Sequence, residues 1–229
     1  MEAVRPPAAD PNNAAKRFSG RITANRRLSA SAFELTLTKP PSFNFSAGQR
    51  LRLEYAAAQR DYSIVSAPAE AGLRLCIRQV AGGRMSMHLA RAVTGTNMTF
   101  TGPHGYFTFK ASSNPAVFVA TGTGIAPFCA MAGAGVSGFT LLHGAATPAG
   151  LYYRDFIQAR AAAYVACLSA SRPVDPVHFP GRVTDYLRNS LPPRAYDFYL
   201  SGRQDMIRDV TLLVDERFQG SLVYSEIFY

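Results

Sequence analysis

Between Phe18 and Lys110, apolar positions come in short runs broken by Gly and Pro. In the clearest run, Phe33-Glu34-Leu35-Thr36-Leu37-Thr38, apolar and polar side chains alternate. A period of two turns one face of a strand inward and the other outward. Residues 18–24, 32–38, 49–54, 60–66, 73–79 and 97–101 therefore read as strands, and 83–92 as the one helical stretch among them. Short strands with a single helix predict a closed six-stranded antiparallel β-barrel. The pattern changes after Ala111-Ser112-Ser113-Asn114-Pro115, which reads as a linker. Short, largely apolar runs follow at 117–120, 139–143, 164–169, 197–201 and 222–226, with helical stretches at about 124–133, 151–162, 181–190 and 203–218. Strands alternating with helices predict a parallel, Rossmann-like sheet covered on both faces. The organisation expected is a leader over 1–16, a barrel domain over 17–111 and an α/β domain over 112–229.

Composition narrows the function classes. No apolar run is long enough to span a bilayer and no signal-peptide core is visible, so a soluble, cytoplasmic protein without membrane insertion is expected. The three cysteines, Cys76, Cys129 and Cys167, are widely spaced and match neither a disulfide framework nor a four-cysteine iron–sulfur site, so no metal is expected. The net charge of +9 is uneven. Residues 1–111 carry 15 Lys/Arg against 6 Asp/Glu, and residues 112–229 carry 9 against 9. A basic surface without interleaved aromatic motifs argues against nucleic acid. It is either a solvated face or a docking surface for an acidic partner.

The stretch from Val117 to Phe128, VFVATGTGIAPF, is a buried strand, a Gly-rich turn and a helix start. Glycines let backbone approach a phosphate, and free N–H groups at a helix start favour an anion. Pro127 suits the first helical turn because its missing N–H has no partner there. The plainer alternative is an ordinary strand–turn–helix junction, since Pro127 stands where a third fingerprint glycine would.

Five short motifs, in order, resemble the ferredoxin–NADP reductase family. Arg60-Asp61-Tyr62-Ser63 is similar to its Arg-x-Tyr-Ser flavin motif, and Gly83-Arg84-Met85-Ser86 to its Gly-x-x-Ser phosphate loop. Thr121-Gly122-Thr123-Gly124-Ile125-Ala126-Pro127 resembles its pyridine-nucleotide turn, and Ser201-Gly202-Arg203-Gln204-Asp205-Met206 its Cys-Gly-x-x-x-Met turn with serine for cysteine. Glu226-Ile227-Phe228-Tyr229 resembles the Glu-x-aromatic terminus.

The resemblance implies FAD and NADP(H) as cofactors, with NAD(H) as the alternative. It puts Arg60 and the Ser86 loop on the FAD pyrophosphate, Tyr62, Phe228 and Tyr229 against the flavin ring, and Ser63 near its N5. Cys76 and Arg78 lie on the strand that family members use to brace the flavin. Ser201, Gly202 and Asp205 fall to the nicotinamide side, with Glu226 as a proton relay. Arg172 and Arg182 occupy stretches where NADP-preferring members carry basic residues for the 2′-phosphate. Without the family, Tyr62 would read as barrel core, Ser63 as a routine strand residue and Ser86 as a helix cap. The implied function is hydride transfer between NAD(P)H and FAD with single electrons passed to or from an acidic ferredoxin or flavodoxin. Arg21, Arg26, Arg27, Arg50 and Arg52 are the candidate docking contacts. The alternatives are an oxygenase reductase component and a non-catalytic FAD- and NAD(P)-binding regulatory module.

Overall fold

In the computed structural model, residues 16–170 and 177–228 are described, so the expected leader lies outside them except for Lys16. The first sheet is antiparallel and runs β4-β3-β6-β1-β2-β5. Its strands are β1 (Arg17–Ser29), β2 (Ala32–Thr38), β3 (Arg50–Tyr55), β4 (Ala58–Ser63), β5 (Gly72–Arg78) and β6 (Asn97–His104). β1 is longer than the 18–24 expected because it serves two neighbours: Arg17–Arg21 pair with β6, and Ile22–Ser29 pair with β2. A register shift between Ile22 and Ala24 marks the bend that curls the sheet. A bridge between Ile64 and Leu75, with the Val65 N–H donating to Arg74 O at 2.8 Å, closes the barrel. Phe33, Leu35, Leu37, Leu51, Leu53 and Phe100 fill it, and α1 (Arg84–Arg91) adds Met85 and Leu89 to that core.

The predicted alternation of β2 holds, with one correction. Glu34, expected on the solvent side, is only 6% exposed and paired with Arg26 and Arg74. The outer face of β2 and β5 is covered because the second half of the chain packs there: Val65, Cys76 and Phe107 belong to the same apolar cluster as Phe118, Phe128 and Tyr199.

The second sheet is wholly parallel, in the order β10-β9-β8-β7-β11-β12. It comprises β7 (Ala116–Thr121), β8 (Thr140–Ala145), β9 (Ala163–Leu168), β10 (His178–Pro180), β11 (Asp197–Arg203) and β12 (Leu222–Phe228). Successive residues of β7 supply opposite layers. Phe118 and Ala120 pack with α2 (Ala126–Gly133) and α3 (Arg154–Gln158), while Val117 and Val119 pack with α4 (Val183–Asn189) and α5 (Gln204–Arg217). Both faces are thus buried, as continuous apolar runs require. The short β10 has no counterpart in the sequence reading, since three residues ending in Pro180 give no period. Among the described residues no helix is long and apolar enough to cross a membrane.

Candidate functional site

Strand order in the parallel sheet reverses at β7, whose neighbours β8 and β11 follow on opposite sides. Open sheets bind ligands beyond the carboxyl ends of strands at such a switch point. A cleft of about 350 Å³ lies there, lined by Thr121, Gly122, Gly181, Arg182, Arg203 and Asp205 among others. Thr121 leads into a 3₁₀ turn, Gly122–Ile125, before α2 begins, so the helix expected from 124 starts slightly later. Neither turn nor helix has a side-chain cap, which leaves first-turn amides for a ligand, and Pro127 sits in the first turn of α2. Gly122 has φ +56° with open space where a Cβ would be. Gly124 is different: a Cβ there would lie 2.7 Å from Gly202 Cα and overlap the Ser201 carbonyl. Gly202, at φ +140°, would likewise drive a Cβ into the Thr121 hydroxyl. The glycines of both turns are what let them interlock.

A larger cleft, of about 1400 Å³, opens between the barrel and β12, lined by Arg50, Arg52, Arg60, Asp61, Tyr106 and Glu226 among others. Tyr106 is 97% exposed there. The Arg60 guanidinium donates only to the Gln59 carbonyl, at 2.7 Å, and makes no salt bridge among the described residues. Asp61 is gripped by Arg52, at 2.6 and 3.1 Å, and by Arg50 at 3.0 Å. Burial works against its charge, but the two guanidiniums hold its carboxyl below the ordinary value.

The barrel and the parallel sheet meet chemically at Glu226. Ser63 donates to Glu226 Oε2 at 2.8 Å, and Arg50 Nη1 donates to Oε1 at 3.0 Å. Glu226 is 6% exposed and Ser63 2%. Burial pushes the Glu226 carboxyl above its ordinary value, and the bonds from Ser63 and Arg50 hold back part of that rise. On β11, Ser201 lies opposite Glu226 in register, fully buried, with its Oγ lacking any hydrogen-bond partner among the described residues. An unpartnered buried hydroxyl is costly unless a ligand supplies its bond. The residues therefore suit the two groups that the motifs imply: a wide cationic cleft for FAD, and a glycine cradle with an unsatisfied polar atom for a nicotinamide nucleotide.

The remaining expected residues fall in three groups. Ser86 is 7% exposed and its Oγ accepts the Val80 N–H at 3.0 Å, which tightens the loop, while its own O–H has only the Val80 and Gly83 carbonyls at 3.5 and 3.4 Å; Met85 is in the barrel core. Arg84 is exposed at the start of α1. Tyr62 packs partly buried against the barrel core, its phenol pushed up to about 12 by burial. Cys76 faces the apolar seam, its thiol also pushed up to about 12 by burial, and Arg78 is exposed beyond it; neither lines the large cleft. Cys129 is 2% exposed in α2, so its role is packing. Thr123 is half-buried in the turn. Asp205 is bound to Arg203 at 2.6 and 3.0 Å. The Phe228 backbone pairs with Arg203, while Arg172 and Tyr229 lie outside the described residues.

Of the candidate docking arginines, Arg50 and Arg52 are held by Asp61 in the cleft and Arg26 is paired with Glu34. Sequence reading also missed Arg203 at the smaller cleft and the role of Arg50 at Glu226. The partner that gives Arg50 this role stands 176 residues away.

Comparison with known proteins agrees with this geometry. The family description "Oxidoreductase FAD-binding domain" matches residues 20–109, and "Oxidoreductase NAD-binding domain" matches residues 118–211. Ferredoxin–NADP reductase B of Sorangium cellulosum is 35% identical over 160 residues, 64% of this chain and 66% of that one. The electron transfer component of toluate 1,2-dioxygenase from Pseudomonas putida is 30% identical over 220 residues, 89% of this chain and 64% of that one. The chain thus spans less than two thirds of the length of these curated relatives, to within a percentage point in the first case. A crystal structure of a ferredoxin NADP⁺ reductase from Neisseria gonorrhoeae, with bound FAD and NADP, shares the fold with TM-score 0.78 at 20% identity, covering 92% of this chain and 99% of that one.

Proposed function

The chain belongs to the ferredoxin–NADP reductase family of FAD- and NAD-binding oxidoreductases, and from that premise we propose that it moves electrons between NAD(P)H and a ferredoxin- or flavodoxin-like carrier. The observation that carries the reading is the meeting of Ser63, Glu226 and Ser201: a barrel hydroxyl bonded to a carboxylate whose register partner is an unsatisfied hydroxyl of the nucleotide half. Bound FAD supplies the conversion of a two-electron hydride into single electrons.

The protein's work is to hold and align. Arg60 and the loop from Gly83 to Ser86 take the FAD pyrophosphate, and Tyr62 lies against the ring. The Thr121–Pro127 turn takes the nucleotide pyrophosphate at a helix start. Ser201 gives its free hydroxyl to the nicotinamide, and Arg182, in the lining of the smaller cleft, takes a 2′-phosphate, so NADPH is favoured. Glu226 holds the Ser63 hydroxyl at the edge of the large cleft, both side chains themselves buried. The protein works in the cytoplasm. A second reading, the reductase component of an oxygenase, is favoured by the match to the toluate dioxygenase component over 89% of the chain. Anaerobic stopped-flow mixing of the yellow holoprotein with NADPH or NADH tests the first step, and reoxidation by ferredoxins, flavodoxins or an oxygenase's own ferredoxin tests the second. Flavin that neither nucleotide bleaches would refute the proposal.

A further inference from the structure

We propose that Arg50 is a positioning residue that holds Glu226 as a carboxylate against Ser63, so that the reactivity of this pair is set from β3. The inference rests on the reading of the Ser63–Glu226 pair given above and adds a residue that none of the five motifs contains. Arg50 lies opposite Ser63 on β4 and His104 on β6, at the point where β3 faces the large cleft. Its guanidinium is fixed at two corners. Nε donates to Asp61 Oδ2 and Nη1 to Glu226 Oε1, both at 3.0 Å, while Arg52 pins Asp61 from the other side. A planar fork spans two carboxylates in this way; a lysine ammonium is a single point and does not.

The backbone is shaped around that bridge. Gly105 has φ +87°, and a Cβ there would lie 2.9 Å from Arg50 Nη1, 3.5 Å from its Cζ and 3.7 Å from Glu226 Oε1. Gln49 Nε2 holds the Gly105 carbonyl at 3.0 Å. A side chain at this turn would enter the space that the ion pair fills, so the loop after β6 is built to admit it.

The groups facing Glu226 explain why the bridge matters. Ser63 and Asp61 face it from β4, Arg50 from β3, and Ser201 lies beside it on β11, with His104 and Arg52 further round the cleft. Among the described residues, Arg50 is the cation that bonds it. Burial and Asp61 favour the neutral acid, whereas Arg50 and Ser63 favour the carboxylate. With the carboxylate maintained, the Ser63 proton is committed to Glu226; with the neutral acid, the direction of that hydrogen bond is no longer fixed.

The test uses the holoprotein, Arg50→Gln, Arg50→Lys, Glu226→Gln and the double variant R50Q/E226Q. The pKa of Glu226 is read from the pH dependence of its carboxyl infrared band, identified by its absence in E226Q, alongside the pH profile of flavin bleaching by NADPH. An opposite charge at bonding distance shifts a carboxyl by about one to three units. Because Arg50 is a third exposed, R50Q is expected to raise the Glu226 pKa by about one to two units and to move the acid limb of the profile with it. R50K is expected to give a smaller rise, and R50Q to add nothing in the E226Q background. An unmoved carboxyl band in both Arg50 variants, or additive losses in the double variant, would overturn the proposal and leave Arg50 as a direct ligand contact or a fold element. If R50Q does not fold, R50K decides by the same band. Failure of NADPH to bleach the wild-type flavin sinks the proposed function instead, while the band still judges Arg50.

Discussion

Adding one methyl group at Gly124 should disable the protein for a reason that lies wholly in its backbone. An alanine Cβ at this position would overlap the Ser201 carbonyl and stand 2.7 Å from Gly202 Cα. Both obstacles are main chain of β11, paired on either side by β7 and β12, so no rotamer change relieves them. Overpacking typically costs 1–3 kcal/mol, and a rigid obstacle puts this case near about 3 kcal/mol. For a chain of this size that is a fall in Tm of about 6–12 °C. Relief requires the Gly-rich turn or the Ser201 turn to move by about an ångström, a displacement that costs roughly a hundredfold in rate when it misplaces reacting groups. Gly122→Ala supplies the contrast. Its Cβ meets no protein atom and points into the cleft, so its cost to the fold is the left-handed strain of about 1–2 kcal/mol. Its larger effect should be a raised KM for the nucleotide. Thermal unfolding and steady-state NADPH oxidation, measured on both variants, check the pair. A Gly124→Ala protein with wild-type Tm and kcat/KM would refute the steric reasoning, and so would a Gly122→Ala protein that loses the more stability of the two.

Three further outcomes follow from the same geometry. Arg182→Ala should raise the KM for NADPH about 10- to 100-fold, equivalent to roughly 1.5–3 kcal/mol for a charge-assisted contact, and leave NADH nearly untouched; equal losses would remove it from the 2′-phosphate site. The two cleft carboxylates should show opposite pH signatures in stability. Glu226 has a raised folded pKa, so its contribution is present at low pH and lost as pH rises through that value, and Glu226→Gln should gain relative to wild type from acid to alkaline pH. Asp61 has a lowered folded pKa, so its contribution is lost as pH falls through it, and Asp61→Asn should be most damaging near neutrality; denaturant titrations at several pH values decide both. Reduction of an acidic carrier should slow with added salt and with charge reversal at Arg21 and Arg27, exposed arginines without a salt bridge among the described residues, while flavin bleaching by NADPH stays unchanged; salt-insensitive reduction would make the basic surface a solvated face.

Strands declared themselves where period or burial was uniform: Phe33, Leu35 and Leu37 marked β2, and the apolar run from Val117 to Ala120 marked β7. Local rules failed where a strand answered to more than one neighbour. β1 outran its apolar signal because β6 and β2 each claim half of it, and Glu34 was buried by packing from residues more than a hundred positions on. In the site, Ser63, Glu226, Gly124 and Ser201 were legible because they stand in short motifs whose order matches a family. Arg50 and Arg203 were not, since each draws its significance from a partner or a cleft that only the folded chain creates. Ser86 was legible as a residue, but not its bond from the Val80 N–H, which needs the folded loop.

The apolar seam has a consequence for how the chain tolerates being divided. Phe107, from the segment after β6, sets its ring edge-on to Phe128 at 5.8 Å and to Tyr199 at 6.1 Å, inside a cluster that continues through Phe118 to Phe139. Ser29 and Tyr152 share a hydrogen bond of 3.0 Å across the same boundary, and the Tyr199 hydroxyl is held by the Lys110 backbone. The two sheets are distinct in architecture yet share part of one interior. A half taken from a relative would therefore bring a mismatched inner surface rather than an exchangeable cassette, and a nick at Ser112–Asn114 would leave the pieces still gripping each other.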